Sequence, residues 1–288
     1  MTRVYLFPGQ GSQKVGMGAD LFPRFPEQVA LAERELGYNL AELCLRDPES
    51  RLNNTLYTQP ALFFVNALTF LARLIDTGEL PHFVAGHSLG EYDALFAAGV
   101  FDLRTGLRLV KERATLMSRA TGGGMAAVIG LSPEKIAASL QAAGLGALDV
   151  ANFNTSQQTV ISGPVPELER SQQALEAAGA TLWKRLPVSA AFHSRYMVEA
   201  ERAFAAVLRD VPLAAPRIPV LSNVTAALHE PASIKDLLAK QISHSVRWTE
   251  TVRWLARQPG VQFSELGPGN VLTGLVRRIQ TEDGRAGA

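Results

Sequence analysis

A serine stands between two glycines, each two residues away, at Gly86-His87-Ser88-Leu89-Gly90. Apolar Phe83-Val84-Ala85 ahead of it fits a short buried strand, and the Ala- and Leu-rich stretch from Glu91 to Gly99 fits a helix. A sharp strand-to-helix turn of this kind holds the serine in a strained backbone conformation, and small neighbours let strand and helix approach. The hydroxyl is then presented at a helix N-terminus, where free N–H groups and the helix dipole favour developing negative charge. The chemistry this suits is nucleophilic attack on an acyl carbon. A Gly-Ser loop with this pattern also arises by chance; the strand and helix flanks favour the nucleophile.

A serine hydroxyl needs a base, and the chain has five histidines. His82 lies ahead of the strand. His87 adjoins the serine, and chain direction aims it away. His229 lies beside Glu230-Pro231 in what reads as a surface loop. His244 is flanked by Ser243 and Ser245. His193 follows small residues in a loop ahead of a helix, as a base approaching a cleft would, but the residues alone leave the choice open. The usual α/β-hydrolase order is Ser, then Asp or Glu, then His near the C-terminus. No acid between Ser88 and His193 stands out at a strand end, so a dyad is expected, with the imidazole oriented by something other than a carboxylate.

Positioning such a site takes a sheet and its flanking helices. Val4 to Phe7 reads as a buried strand running into Pro8-Gly9-Gln10-Gly11-Ser12-Gln13. That small, polar turn can bring backbone close to a ligand, though alone it is a plain strand-end turn. Phe22 to Leu36 and Leu40 to Leu45 read as helical. Thr58-Gln59-Pro60 opens a long helix to about Ile75, with proline in its first turn, and Leu103 to Ala120 is an amphipathic helix carrying Lys111, Glu112 and Arg113. From Gly122 the texture changes. Strands at Met125–Gly130, Leu148–Ala151, Thr159–Ser162 and Thr181–Leu186, with helices at Pro133–Ala143 and Pro166–Ala178, give the order β-α-β-β-α-β of a ferredoxin-like unit. The chain then returns to the core: a helix in which Met197, Ala200, Phe204 and Leu208 recur at helical spacing, a strand at Ile218–Leu221, helices at Leu237–Ile242 and Trp248–Arg257, a strand at Val261–Ser264, and a closing helix from Val271 to Ile279. The expected fold is α/β, an α/β-hydrolase-like core over 1–123 and 188–288 with an inserted ferredoxin-like subdomain over 124–187. Residues from about Glu282 read as disordered.

Composition narrows the function. A net charge of +1 over 288 residues makes no case for nucleic acid or an anionic membrane. The single cysteine, Cys44, excludes an internal disulfide and a multi-cysteine metal site, and its apolar helical setting reads as a buried hydrophobe. No metal is expected. No signal peptide and no apolar run long enough to cross a bilayer is apparent, so the expected compartment is the cytoplasm.

Phe7-Pro8-Gly9-Gln10-Gly11-Ser12-Gln13, Thr58-Gln59-Pro60-Ala61, Gly86-His87-Ser88-Leu89-Gly90-Glu91, Lys111-Glu112-Arg113-Ala114-Thr115-Leu116-Met117, Ala191-Phe192-His193-Ser194, Gln241 and Glu265-Leu266-Gly267-Pro268-Gly269 follow one another along nearly the whole chain. Together they resemble the malonyl-CoA:acyl-carrier-protein transacylases and the acyltransferases of polyketide synthases. The branch they fit best is the free-standing, trans-acting acyltransferases that load modular synthases lacking their own acyltransferase domain, on Gly90-Glu91-Tyr92 and Val188-Ser189-Ala190-Ala191-Phe192-His193-Ser194.

The resemblance implies roles. Ser88 is the nucleophile and His193 its base, held by the main-chain carbonyl of Gln241. The backbone N–H groups of Gln10 and Leu89 form the oxyanion hole. Arg113 pairs with a malonyl carboxylate, a task that suits a planar, two-pronged cation, although beside Lys and Glu it would otherwise read as a solvated helix-face residue. Gln59 lines the same cleft. Phe192, where fatty-acid relatives often have serine, goes with malonyl over methylmalonyl in polyketide relatives. Malonyl-CoA is the substrate, no cofactor is bound permanently, and the partner is the holo, phosphopantetheinylated acyl carrier protein of a polyketide or fatty-acid synthase. The enzyme is expected to be a monomer. The rivals are a fatty-acid malonyl transacylase, a hydrolase clearing acyl groups from carrier proteins, a general esterase and an idle carrier-protein adaptor.

Overall fold

The period-two alternation of a strand buried on both faces organises the core. In the computed structural model, which describes residues 1–286, β1 (Thr2–Phe7) sends Val4 and Leu6 into one apolar layer and Tyr5 and Phe7 into another. The chain continues through α1 (Pro26–Leu36), α2 (Leu40–Leu45) and α3 (Thr55–Thr77) to β2 (Phe83–Gly86), then α4 (Gly90–Ala97) and α5 (Leu103–Ser118). A second unit follows, made of β3 (Gly123–Ile129), α6 (Pro133–Ala142), β4 (Asp149–Thr155), β5 (Gln158–Pro164), α7 (Val165–Ala177) and β6 (Leu182–Arg185). It leads to α8 (Val198–Arg209), α9 (Ile234–Lys240), α10 (Trp248–Ala256), β7 (Val261–Glu265) and α11 (Val271–Ala286).

The larger sheet is parallel, in the order β2-β1-β7. Residues of α3, α4 and α5 cover one face, and Trp248, Val252, Leu272, Val276 and Ile279 of α10 and α11 cover the other, as parallel sheets require. The smaller sheet is antiparallel, in the order β4-β5-β3-β6, the arrangement of a ferredoxin-like unit. Its own core gathers Ala126, Val128, Ile136, Leu140, Ile161, Leu168 and Leu175. Backbone bonds from Phe153 N–H to Val246 O (2.9 Å) and from Val246 N–H to Ala151 O (2.8 Å) join it to the larger part.

Several local expectations change. The helix expected over Phe22–Leu36 breaks into a 3₁₀ turn, Phe22–Arg24, and α1. Pro26 forces Phe25 out of the helical region, to φ −130° and ψ 52°. α3 starts three residues before Thr58, because the Asn54 side chain accepts from Leu56 N–H and caps it there. Pro60 therefore lies beyond the first turn. α3 is also long and apolar enough to cross a bilayer, which the sequence reading missed because Gln59 and Asn66 interrupt the run; here it is a mostly buried core helix. The strand expected at Ile218–Leu221 is reduced to isolated bridges, Val220 to Val84 and Leu221 to Leu228, since Pro219 has no N–H for a ladder. The chain expected to be disordered from Glu282 is helical to Ala286: Glu282 accepts from Thr155 Oγ1 (3.1 Å) and Ser156 N–H (2.9 Å), and Asp283 pairs with Arg253. Residues 287 and 288 of that expectation lie outside the described residues. Cys44 is buried, and burial pushes its thiol pKa up to about 12.

Candidate active site

Ser88 joins β2 to α4 with φ at +51°, the left-handed region that a non-glycine residue enters only under constraint. The flanking glycines are a steric necessity. A Cβ on Gly86 would stand 1.9 Å from the backbone of Gly90, and one on Gly90 would stand 2.0 Å from the Phe7 carbonyl oxygen. Asn223 staples the turn: its Oδ1 accepts from Ser88 N–H (2.6 Å) and its Nδ2 donates to Gly86 O (2.7 Å). The sequence reading missed Asn223, whose only signal was its place at the end of an expected strand.

His193 is the histidine that reaches the serine, its Nε2 lying 2.7 Å from Ser88 Oγ. Its Nδ1 lies 2.7 Å from the main-chain oxygen of Gln241. A carbonyl only accepts, so the proton sits on Nδ1 and the Nε2 lone pair faces the hydroxyl. Burial first, and the nearby Arg113 guanidinium second, lower its pKa to about 3. The imidazole is therefore neutral at physiological pH, the state a general base requires.

Arg113 is 1% exposed. Its Nη1 donates to Gln59 Oε1 (2.6 Å), and its Nη2 to Gln241 Oε1 (2.8 Å) and Ser88 Oγ (3.1 Å). The Tyr92 ring lies 5.4 Å below the guanidinium. Burial lowers its pKa from the ordinary arginine value, yet the hydrogen bonds it makes all go to neutral groups. A buried cation held this way is poised for an anion from outside.

These groups open on a cavity of about 250 Å³ between the two sheets. Gln10, Gln59, Leu89, Arg113, Phe192 and His193 line it, with an apolar wall that includes Met125, Val160 and Leu275. Gln10 and Leu89 line this cavity together with Ser88, and neither backbone N–H has a protein acceptor among the described residues. Gly9 permits that approach, since a Cβ there would lie 2.4 Å from His87 O.

A second buried pair holds the Gln10 loop from below. Asn66 Nδ2 donates to Pro8 O (3.0 Å) and to Asp93 Oδ2 (2.9 Å). Burial raises the Asp93 pKa well above its ordinary 3.8. From about pH 4 upward, then, the unfolded chain gives up this proton before the folded one does, and stability falls as pH rises. Asp93→Asn keeps an acceptor for Asn66 and cannot ionise. Its melting temperature is expected to exceed the parent's by several degrees at pH 7, with the gain vanishing near pH 4 where both forms are neutral. A gain of the same size at both pH values would place its origin in packing instead.

The remaining histidines sort cleanly. His87 points away from the pair, its Nε2 on Asn154 Oδ1 (2.8 Å) across the cleft. His82 takes a backbone bond from Arg3 N–H (3.0 Å), and His244 lies on the surface near Glu201. His229 is not in a surface loop: it is buried, with Nε2 2.6 Å from Glu91 Oε1. Glu91, which a local reading leaves as an acid in a helix's first turn, also accepts from Gln241 Nε2 (2.6 Å) and Asn223 N–H (3.2 Å).

Comparison with known proteins gives the chain's family and fold relatives. A family model for the acyl transferase domain matches residues 4–283. The chain is 50% identical over 279 residues to the polyketide biosynthesis malonyl CoA-acyl carrier protein transacylase BaeC of Bacillus velezensis, covering 96% of each. It is also 50% identical over 284 residues to the polyketide biosynthesis protein ThaF of Burkholderia thailandensis, of whose length it spans only 24%. Among solved structures, a malonyl CoA-acyl carrier protein transacylase from Burkholderia pseudomallei superposes with a TM-score of 0.95 at 48% identity, over 98% of both chains. A malonyl-transacylase in complex with its type II polyketide acyl-carrier protein, PlMCAT:AntF, superposes with a TM-score of 0.92 at 40% identity, over 97% of this chain and 93% of that one.

Proposed function

The chain belongs to the acyl transferase domain family, and from that premise we propose that it is a malonyl-CoA:acyl-carrier-protein transacylase that works in trans for a polyketide synthase. Ser88 Oγ attacks the thioester carbonyl while His193 Nε2 takes its proton. The N–H groups of Gln10 and Leu89 receive the oxyanion. Coenzyme A leaves as the thiol, carrying the proton from His193, and a malonyl-serine ester remains. The thiol of a carrier protein's phosphopantetheine arm then gives its proton to His193 and attacks the ester, and Ser88 recovers its proton as it leaves. No oxidation state changes, so the cycle needs no resident cofactor.

The observation that carries this reading is Arg113. Its guanidinium is buried beside the nucleophile, hydrogen-bonded only to neutral partners. The carboxylate of a malonyl ester sits one methylene beyond the ester carbonyl, within reach of a cation already 3.1 Å from Ser88 Oγ. A hydrolase for neutral acyl groups has no use for that charge. Gln59 holds the guanidinium from the far side, and Phe192 forms the wall against which the acyl methylene packs. The polyketide assignment is supported by 50% identity to BaeC, against 40% to the malonyl CoA-acyl carrier protein transacylase of Escherichia coli.

The test of the whole reading is transfer. Radiolabelled malonyl-CoA is expected to label the protein on a denaturing gel and to pass the label to a phosphopantetheinylated carrier protein, while the unmodified carrier accepts none. Equal transfer to the unmodified form would remove the thiol from the mechanism, and rapid release of free malonate would make the protein a hydrolase.

A further inference from the structure

Behind the serine, the side chain of Gln241 is gripped at both ends. Its Nε2 donates to Glu91 Oε2 (2.6 Å) and to the Ser88 carbonyl (2.9 Å), and its Oε1 accepts from Arg113 Nη2 (2.8 Å). Glu91 is fully buried in the first turn of α4 and does not line the cavity. His229 Nε2 lies on the other carboxylate oxygen, Oε1, and the Asn223 N–H donates to the same Oε2 as Gln241. A buried carboxylate is costly to keep unless it holds something in place, and the proposed chemistry gives Glu91 nothing to react with.

The two ends of a side-chain amide have nearly the same shape, so electrostatics selects between them. Glu91 Oε2 accepts from both the Asn223 N–H and Gln241 Nε2. Set against one end of Gln241, it admits the NH₂ there and leaves the oxygen to face Arg113. With the amide reversed, oxygen would meet carboxylate and N–H would meet the guanidinium N–H. We propose that Glu91 is a positioning residue for substrate selection: it sets the Gln241 amide and, through it, holds the Arg113 guanidinium turned into the acyl cavity. This rests on the reading that Arg113 receives the malonyl carboxylate. Glu91 never meets that carboxylate; it acts on the guanidinium from two hydrogen bonds away.

The test is Glu91→Gln, which keeps the size of the side chain but can present either a donor or an acceptor to Gln241. The expected result is a fall of about tenfold in kcat/KM for malonyl-CoA, mostly in KM, the scale of one misaligned charge-assisted hydrogen bond. Turnover of acetyl-CoA, which has no carboxylate, is expected to change by less than about twofold on the same scale. The ratio of the two substrates does not depend on how much of a preparation is folded, so a general loss of structure leaves it unmoved. His229→Ala, which releases one oxygen of Glu91 without touching Gln241, is expected to shift the ratio in the same direction by less. In an Arg113→Ala background, Glu91→Gln is expected to cost malonyl-CoA nothing further. An unshifted ratio in both single variants, or a full additional loss in the Arg113→Ala background, overturns the proposal. Failure of the underlying reading looks different: Arg113→Ala alone would then leave the malonyl-to-acetyl ratio where it was.

Discussion

Ser88→Ala is expected to abolish covalent labelling by radiolabelled malonyl-CoA while leaving the melting temperature near that of the parent. Alanine fits the +51° φ of this position as well as serine does, and the staple from Asn223 is made to backbone atoms that the substitution leaves alone. The loss is therefore chemical: no oxygen remains to form the ester. His193→Ala is expected to cut the rate of acyl-enzyme formation on the order of 10²-fold or more, the scale of a lost general base. Wild type supplies an independent check. The base works only when neutral, and a pKa of about 3 keeps it neutral far below the ordinary histidine value of 6.5. Activity in kcat/KM should hold as pH falls through 6.5 and decline only as it nears the folded value. Label persisting on Ser88→Ala, or acyl-enzyme formation undiminished in His193→Ala, would remove these residues from the proposed roles; an acid limb centred near 6.5 would instead mean that burial lowers the His193 pKa less than the buried setting implies.

The elbow was legible in the sequence because it is a local steric device. Gly86, Gly90 and the serine between them obey a spacing rule, and the clashes that a Cβ would create confirm why no other residue serves. The dyad was legible through an absence, since no acid stood where a triad needs one, and the acceptor on His193 Nδ1 is a main-chain carbonyl. Arg113 was not legible from its neighbours. Lys111-Glu112-Arg113 looks like a solvated helix face, and only the packing of α3 and α4 against α5, with Gln241 on the guanidinium, buries its third residue; the family resemblance singled it out where local physics could not. His229 was misread for the same reason. Glu230-Pro231 is loop chemistry, but the partner that draws the imidazole inward is Glu91, far away in the chain. The fold followed the same division. Apolar runs and the β-α-β-β-α-β order of elements brought out the strands of both sheets, while Pro219 and the cap at Asn54 moved boundaries that periodicity alone cannot place.

Arg113→Ala separates a malonyl transferase from an acyl transferase of broad taste. Malonyl and acetyl thioesters differ by one carboxylate. In a partly enclosed cleft with an apolar wall, that carboxylate is stable only against a paired cation. Removing the guanidinium leaves the malonyl group unpaired, at a cost of roughly 2–5 kcal/mol. At about 1.4 kcal/mol per tenfold in rate, kcat/KM for malonyl-CoA is expected to fall by about 10²-fold or more. The acetyl group never used the cation, and the space left beside Gln59 and Tyr92 is neutral, so turnover of acetyl-CoA is expected to hold or rise. Gln59 and Gln241 each lose a partner for a side-chain oxygen, which lowers stability but bears on both substrates alike. The measurement is kcat/KM for both thioesters in parent and variant. Inversion of the preference identifies the guanidinium as the group that chooses malonyl. An equal fall for both would assign Arg113 to the architecture of the core, and the malonyl reading would lose the observation that carries it.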